Sequence, residues 1–243
     1  MQSNNPILTR VETHADYTQP MSVQGAVGKS VLLTAISAIA GIALFFYCAM
    51  TLNVGIAYAA TMVGGIGGFI LALILTFKPN TAPTLAIPYA LFEGAFLGGI
   101  SFVFQAKYPG APLQALLATF VTTLVMFGLY RAKIIRATEK FKAVVLSATI
   151  AIALVFVVQM VMSLLFSSSI PYVFESNWLG IGFAAFVAVI ASLNLILDFD
   201  LIESAAAQRA PKAFEWTCAV ALLATLVWMY VSFLRLIGLT SND

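Results

Sequence analysis

Charge is what this sequence has least of. Twelve basic and ten acidic residues in 243 make the chain 9% charged, against about 25% in a typical soluble domain. So few charges cannot coat a water-facing surface of this size. Hydrophobic residues make up 61%, against about 45–50% in soluble proteins. A bilayer lifts the requirement for a polar surface, because apolar side chains there face lipid. The net charge of +2 supplies no basic field for nucleic acid, so no nucleic-acid partner is expected.

Histidine and cysteine are nearly absent, and each shortage excludes a chemistry. The single histidine, His14, lies in the polar N-terminal stretch. A serine–histidine hydrolase site within the bundle, or an HExxH metalloprotease, is therefore excluded. Cys48 and Cys218 fall inside apolar runs with no CxxC or Cys/His cluster near them. They read as small apolar side chains, not as a disulfide or metal framework. No Walker or dinucleotide-binding motif is present. An intramembrane aspartyl protease needs two facing aspartates, and only one apolar segment carries any. The chain is not expected to be an enzyme.

What is present is a series of long apolar runs. A membrane helix needs about 20 largely apolar residues. Seven segments qualify, over residues 30–50, 54–77, 84–104, 113–130, 143–166, 178–201 and 214–237. Lys78, Pro79, Asn80 and Pro83 end the second. Lys107, Pro109, Gly110 and Pro112 separate the third from the fourth. Ser167, Ser168, Ser169 and Pro171 end the fifth, and Pro211 precedes the seventh. The break at residues 51–53 is the shortest and requires a very tight hairpin. The expected fold is all-α, a polytopic seven-helix bundle spanning residues 28–243. Residues 1–27 are polar, lack the pattern of a cleavable signal peptide, and are expected to form a disordered tail.

Basic residues orient the bundle. With seven spans and the N-terminus inside, ten of the 12 basic residues fall on the inner face; only Lys107 and Arg235 fall outside. Five of the inner ones, Arg131, Lys133, Arg136, Lys140 and Lys142, share one connection. This split predicts a cytoplasmic N-terminus and an external C-terminus. Gly64 with Gly68, and Gly94 with Gly98, repeat at four-residue spacing, which puts each pair on one helix face where a neighbouring backbone can approach. Ordinary helix packing accounts for both pairs. Pro88 falls inside the third span.

Acidic residues within spans are expensive and point to function. Glu93 lies near the middle of the third span. Asp198, Asp200 and Glu203 end the sixth, and Glu215 starts the seventh. At about 100° per residue, Asp198 and Asp200 point to nearly opposite faces. Asn194 shares the Asp198 face one turn earlier, and that face is the candidate for the bundle interior. A carboxylate there loses water, and two carboxylates close together can share one proton near neutral pH. The same oxygens could equally bind a hard cation such as calcium. Asp200, Glu203 and Glu215 sit at helix ends, where headgroup water can also solvate them.

The run 197–203 (Leu-Asp-Phe-Asp-Leu-Ile-Glu), then Ala210-Pro211-Lys212, Glu215-Trp216 and Leu234-Arg235-Leu236-Ile237-Gly238, resembles the Bax inhibitor family, in particular its bacterial YccA-like branch. The segment Glu93-Gly94 with Gly98 and Ser101 is similar to that branch as well. The resemblance implies a last helix surrounded by the other six, in a bacterial inner membrane. It also implies a pH-sensitive calcium leak gated near the cytoplasmic face by two aspartates, with calcium as permeant ion and no cofactor. The sixth-helix aspartate matches Asp198. The seventh-helix position falls at about Thr225, and that helix has no aspartate, a departure for which Glu215 or Asp200 would have to substitute. The branch further implies engagement with a membrane protease, FtsH, which would make the chain a regulatory partner. A proton-coupled transporter is the third reading.

Overall fold

In a computed structural model, described over residues 19–166, 170 and 175–241, every long apolar run becomes a helix. The helices are α1 (Val23–Thr51), α2 (Val54–Phe77), α3 (Ala82–Lys107), α4 (Ala111–Arg131), α5 (Glu139–Phe166), α6 (Trp178–Ala207) and α7 (Phe214–Thr240), with one 3-10 turn at Pro79–Thr81. No strand occurs among the described residues; an isolated bridge joins Pro20 and Pro211. All seven helices are long and apolar enough to cross a membrane. Large apolar side chains lie open on their outer faces, among them Met50, Phe69, Phe120 and Val144. In water that surface would drive aggregation, whereas in lipid it is the solvated surface. The expected tail falls largely on residues 1–18, and the break after α5 on residues 167–174; apart from Ile170, both lie outside the described residues.

The helix ends follow from capping chemistry. The 51–53 break resolves to two residues. Leu52 turns left-handed at φ 49°, and the Asn53 side chain caps α2 by accepting from Ile56 N–H at 3.1 Å. Gly110, at φ 87°, supplies the left-handed turn before α4, and Pro112 fits that helix's first turn. Helix α6 ends on Arg209 at φ 54°, with Arg209 N–H bonded to Ala206 O and Ala210 N–H to Ala205 O. This is a Schellman closure without glycine. α4 ends the same way on Lys133.

The clearest difference from the sequence expectation is at α1. It starts at Val23, seven residues before the apolar run. Ser22 caps it, its Oγ accepting from Gly25 N–H at 2.9 Å. Gln24 and Lys29 take these turns out of the apolar window without taking them out of the helix.

The described residues form two compact units, one with residues up to 103 and 198–224, the other with residues 104–197 and from 225 on. In the first, α3 is seated by glycines. A Cβ on Gly94 would lie 2.6 Å from Ser37 O, and one on Gly98 2.5 Å from Gly41 O, so both face α1. Gly64 of α2 abuts the α3 backbone at Phe92 and Phe96. A second cluster joins Cys48, Ala57 and Phe102. In the other unit, Ile152 of α5 packs with Val187 and Ile190 of α6, and Trp228 of α7 lies against them.

Candidate functional site

The richest constellation of charge lies where α6 hands over to α7. Half of the apolar window of α6 and 44% of that of α7 are buried, against 11% for α4 and α5. These two helices therefore carry the most buried windows among the seven.

Glu215, the second residue of α7, is 2% exposed. A carboxylate so buried requires partners, and all of them come from the start of α1. Lys29 Nζ forms an ion pair with Oε2. Ser22 N–H donates to Oε1 at 2.9 Å, and Ser22 Oγ makes a longer contact of 3.4 Å with the same oxygen. Gly25 faces the carboxylate so closely that a Cβ there would overlap it. The Lys29 ammonium also stands 5.3 Å from the ring centre of Trp216, within cation–π range. Glu215 thus serves two helix N-termini at once, sitting in the first turn of its own helix and at the cap of α1.

A short strap holds this geometry. Residues 19–22 run antiparallel to the α6–α7 connection, with Met21 N–H bonded to Ala210 O at 2.8 Å and Lys212 N–H to Gln19 O at 3.0 Å. Lys212 Nζ also donates to Gln19 Oε1 at 3.1 Å. The Met21 side chain, 4% exposed, is buried in one cluster with Ile202, Ala205, Phe214 and Cys218.

The other sequence candidates separate. Asp198 and Asp200 are half-buried near the end of α6, and Glu203, a turn on, is exposed. Cys218, one turn after Glu215, lies within electrostatic reach of both Asp198 and Glu215. Asn194 spends its amide hydrogens on Thr149 Oγ1 of α5 at 2.9 Å and on Ile190 O at 2.8 Å, so they are not directed at Asp198. Glu93 is half-buried on α3; the Tyr89 hydroxyl, one turn back, donates to it, and Gly68 of α2 lies against its carboxylate. Among the described residues, no group of three His, Cys, Asp or Glu side chains is placed to hold a metal ion.

The model of the family described as Bax inhibitor 1 like matches residues 5–242. The chain belongs to that family. No curated protein and no solved structure matches it. In this member of the Bax inhibitor 1 like family, the last helix carries Thr225, buried at 8% exposure, where the resemblance expects an aspartate.

Three participants were missed from sequence: Ser22, Gly25 and Lys29. The available signal was Lys29 itself. A lysine just ahead of a 20-residue apolar run needs either water or a counter-ion, and Glu215 was the acidic residue with the matching need. Arg235 was counted only as a topological marker. Its guanidinium lies 5.9 Å from the ring centre of Phe156 and 5.7 Å from that of Phe183, distances at which aromatic faces stabilise a cation in a dry site.

Proposed function

We propose that this chain is a pH-responsive cation leak, with calcium as permeant ion, rather than an enzyme. In this reading it resides in a bacterial inner membrane, with its N-terminus cytoplasmic and C-terminus outside, and belongs to the YccA-like branch. The observation that carries the reading is the buried carboxylate of Glu215 at the start of α7, with Asp198 of α6 within electrostatic reach of the same Cys218. Hard cations select oxygen ligands, and a carboxylate that loses water beside a second one has its protonation moved towards neutral pH. Asp198 is the gating group. Glu215 is paired with Lys29 at the start of α7 and holds that end of the helix while the pair is closed.

The test is calcium flux through purified protein in liposomes across a pH series, with Asp198→Asn alongside. Flux that varies with pH in the parent chain and loses that dependence in the variant is the expected result. A variant that follows the parent at every pH removes Asp198 from the gate.

One observation favours a second reading. The seventh helix has no aspartate, and the resemblance implies the second gate carboxylate at about Thr225. A chain without that gate would act as a regulatory partner of a membrane protease such as FtsH. Absence of flux at any pH, from protein shown to be folded, would select this reading and make protease binding the next measurement.

A further inference from the structure

The strap ahead of α1 does more than begin a helix. It joins residues 19–22 to the end of α6 and the start of α7 through three different contacts. The first is backbone pairing, Met21 N–H to Ala210 O and Lys212 N–H to Gln19 O. The second is an apolar plug, Met21, seated in the cluster that contains Cys218. The third is electrostatic, the Glu215 carboxylate gripped by Lys29 and the Ser22 N–H. Each contact is short in extent, and together they cover a thiol that is 1% exposed.

We propose that residues 19–22 are a latch, closed in this structure, whose release opens the start of α7 and admits water to Cys218 and to the neighbouring Asp198. The chemistry favours a two-position element. Glu215 cannot remain buried and charged once Lys29 and Ser22 leave. With Glu215 charged, loss of the catch therefore drives the first turn of α7 to rearrange; with the catch removed by neutral substitution, the turn is released without that drive. The ionisable groups around the latch are Lys29 from α1, Asp198 from α6, Lys212 from the α6–α7 connection, and Glu215 and Cys218 on α7. Coupling of the latch to cation flux rests on the leak reading above, but the latch itself does not.

The chain carries its own reporters. Its two cysteines are both free and buried, but they lie in different places. Cys218 is under the strap, whereas Cys48 packs with Ala57 and Phe102 away from it. The experiment is the rate of maleimide labelling of each cysteine, read site by site by mass spectrometry. It compares the intact chain in detergent with Met21→Ser, Glu215→Gln and a Lys29→Met, Glu215→Gln pair. Met21→Ser removes the plug and leaves the ion pair. The double variant removes the ion pair without leaving a buried unpaired charge, so at least one variant is expected to remain folded. The expected result is protection of both cysteines in the parent and labelling of Cys218 faster by roughly tenfold or more in the variants, with Cys48 still protected. Cys218 staying as protected as in the parent across the folded variants would overturn the latch. Cys48 and Cys218 accelerating together would also overturn it, because that is global rather than local opening. This measurement needs no ion flux, so a failed latch and a failed leak are told apart.

Discussion

The Lys29 ammonium closes on the carboxylate of Glu215, 186 residues further along the chain, with 19% and 2% of the two side chains exposed. The two partners are not equivalent in cost. Lys29 has a long stem and some access to solvent, so when freed it can carry its charge outward. Glu215 has neither. Lys29→Met should therefore destabilise the protein by about 3–5 kcal/mol, the usual penalty for stranding a buried charge. Glu215→Gln keeps an acceptor for Ser22 N–H and should cost about 1–3 kcal/mol. Thermal unfolding in detergent at neutral pH, followed by circular dichroism, measures both. If Glu215→Gln proves the more damaging, the charge on Glu215 is not the group that requires rescue.

Two glycines in the first turns of α1 should respond to the same substitution with opposite signs. Around Gly28 an added Cβ meets nothing within 4 Å, whereas at Gly25 it overlaps the Glu215 carboxylate. Gly28→Ala should stabilise by about 0.5–1 kcal/mol, the ordinary helix gain from replacing glycine. Gly25→Ala should destabilise by about 1–3 kcal/mol, because the carboxylate has no room to retreat without leaving its partners. Equal shifts in melting temperature would mean that Gly25 does not make room for Glu215.

The difference between these glycines also marks where sequence reading stops. The seven helices were legible because each carries an apolar run of about 20 residues closed by proline, lysine or asparagine. The opposed faces of Asp198 and Asp200 followed from helical geometry alone. The true start of α1 was not legible, because hydropathy detects a span and not a helix, and Ser22 extends the helix beyond the span. The partners of Glu215 were hidden for another reason. Contacts between residues 186 and 193 positions apart leave no local pattern. Asn194 shows the same limit. Its spacing from Asp198 suggested a shared polar face, whereas its donors go sideways to Thr149 on α5 and back along its own helix to Ile190.

The bond between Asn194 and Thr149 yields the last prediction. Within a span, a polar side chain lacking a partner faces hydrocarbon, and a naive estimate would make this 2.9 Å contact strongly stabilising. Two features argue for less. Asn194 retains its second bond, to Ile190 O, and the Thr149 hydroxyl is also bonded to Val145 O at 2.9 Å within its own helix. Neither group is stranded when the other is removed, and in an unfolded membrane state each would find similar backbone acceptors. The coupling energy from a double-mutant cycle with Asn194→Ala and Thr149→Val should therefore be about 0.6 kcal/mol and not above about 1.7 kcal/mol. Unfolding of the four proteins in mixed micelles measures it. A coupling of several kcal/mol would show that the α5–α6 contact is a principal fastening of its unit rather than one modest bond in an apolar interface.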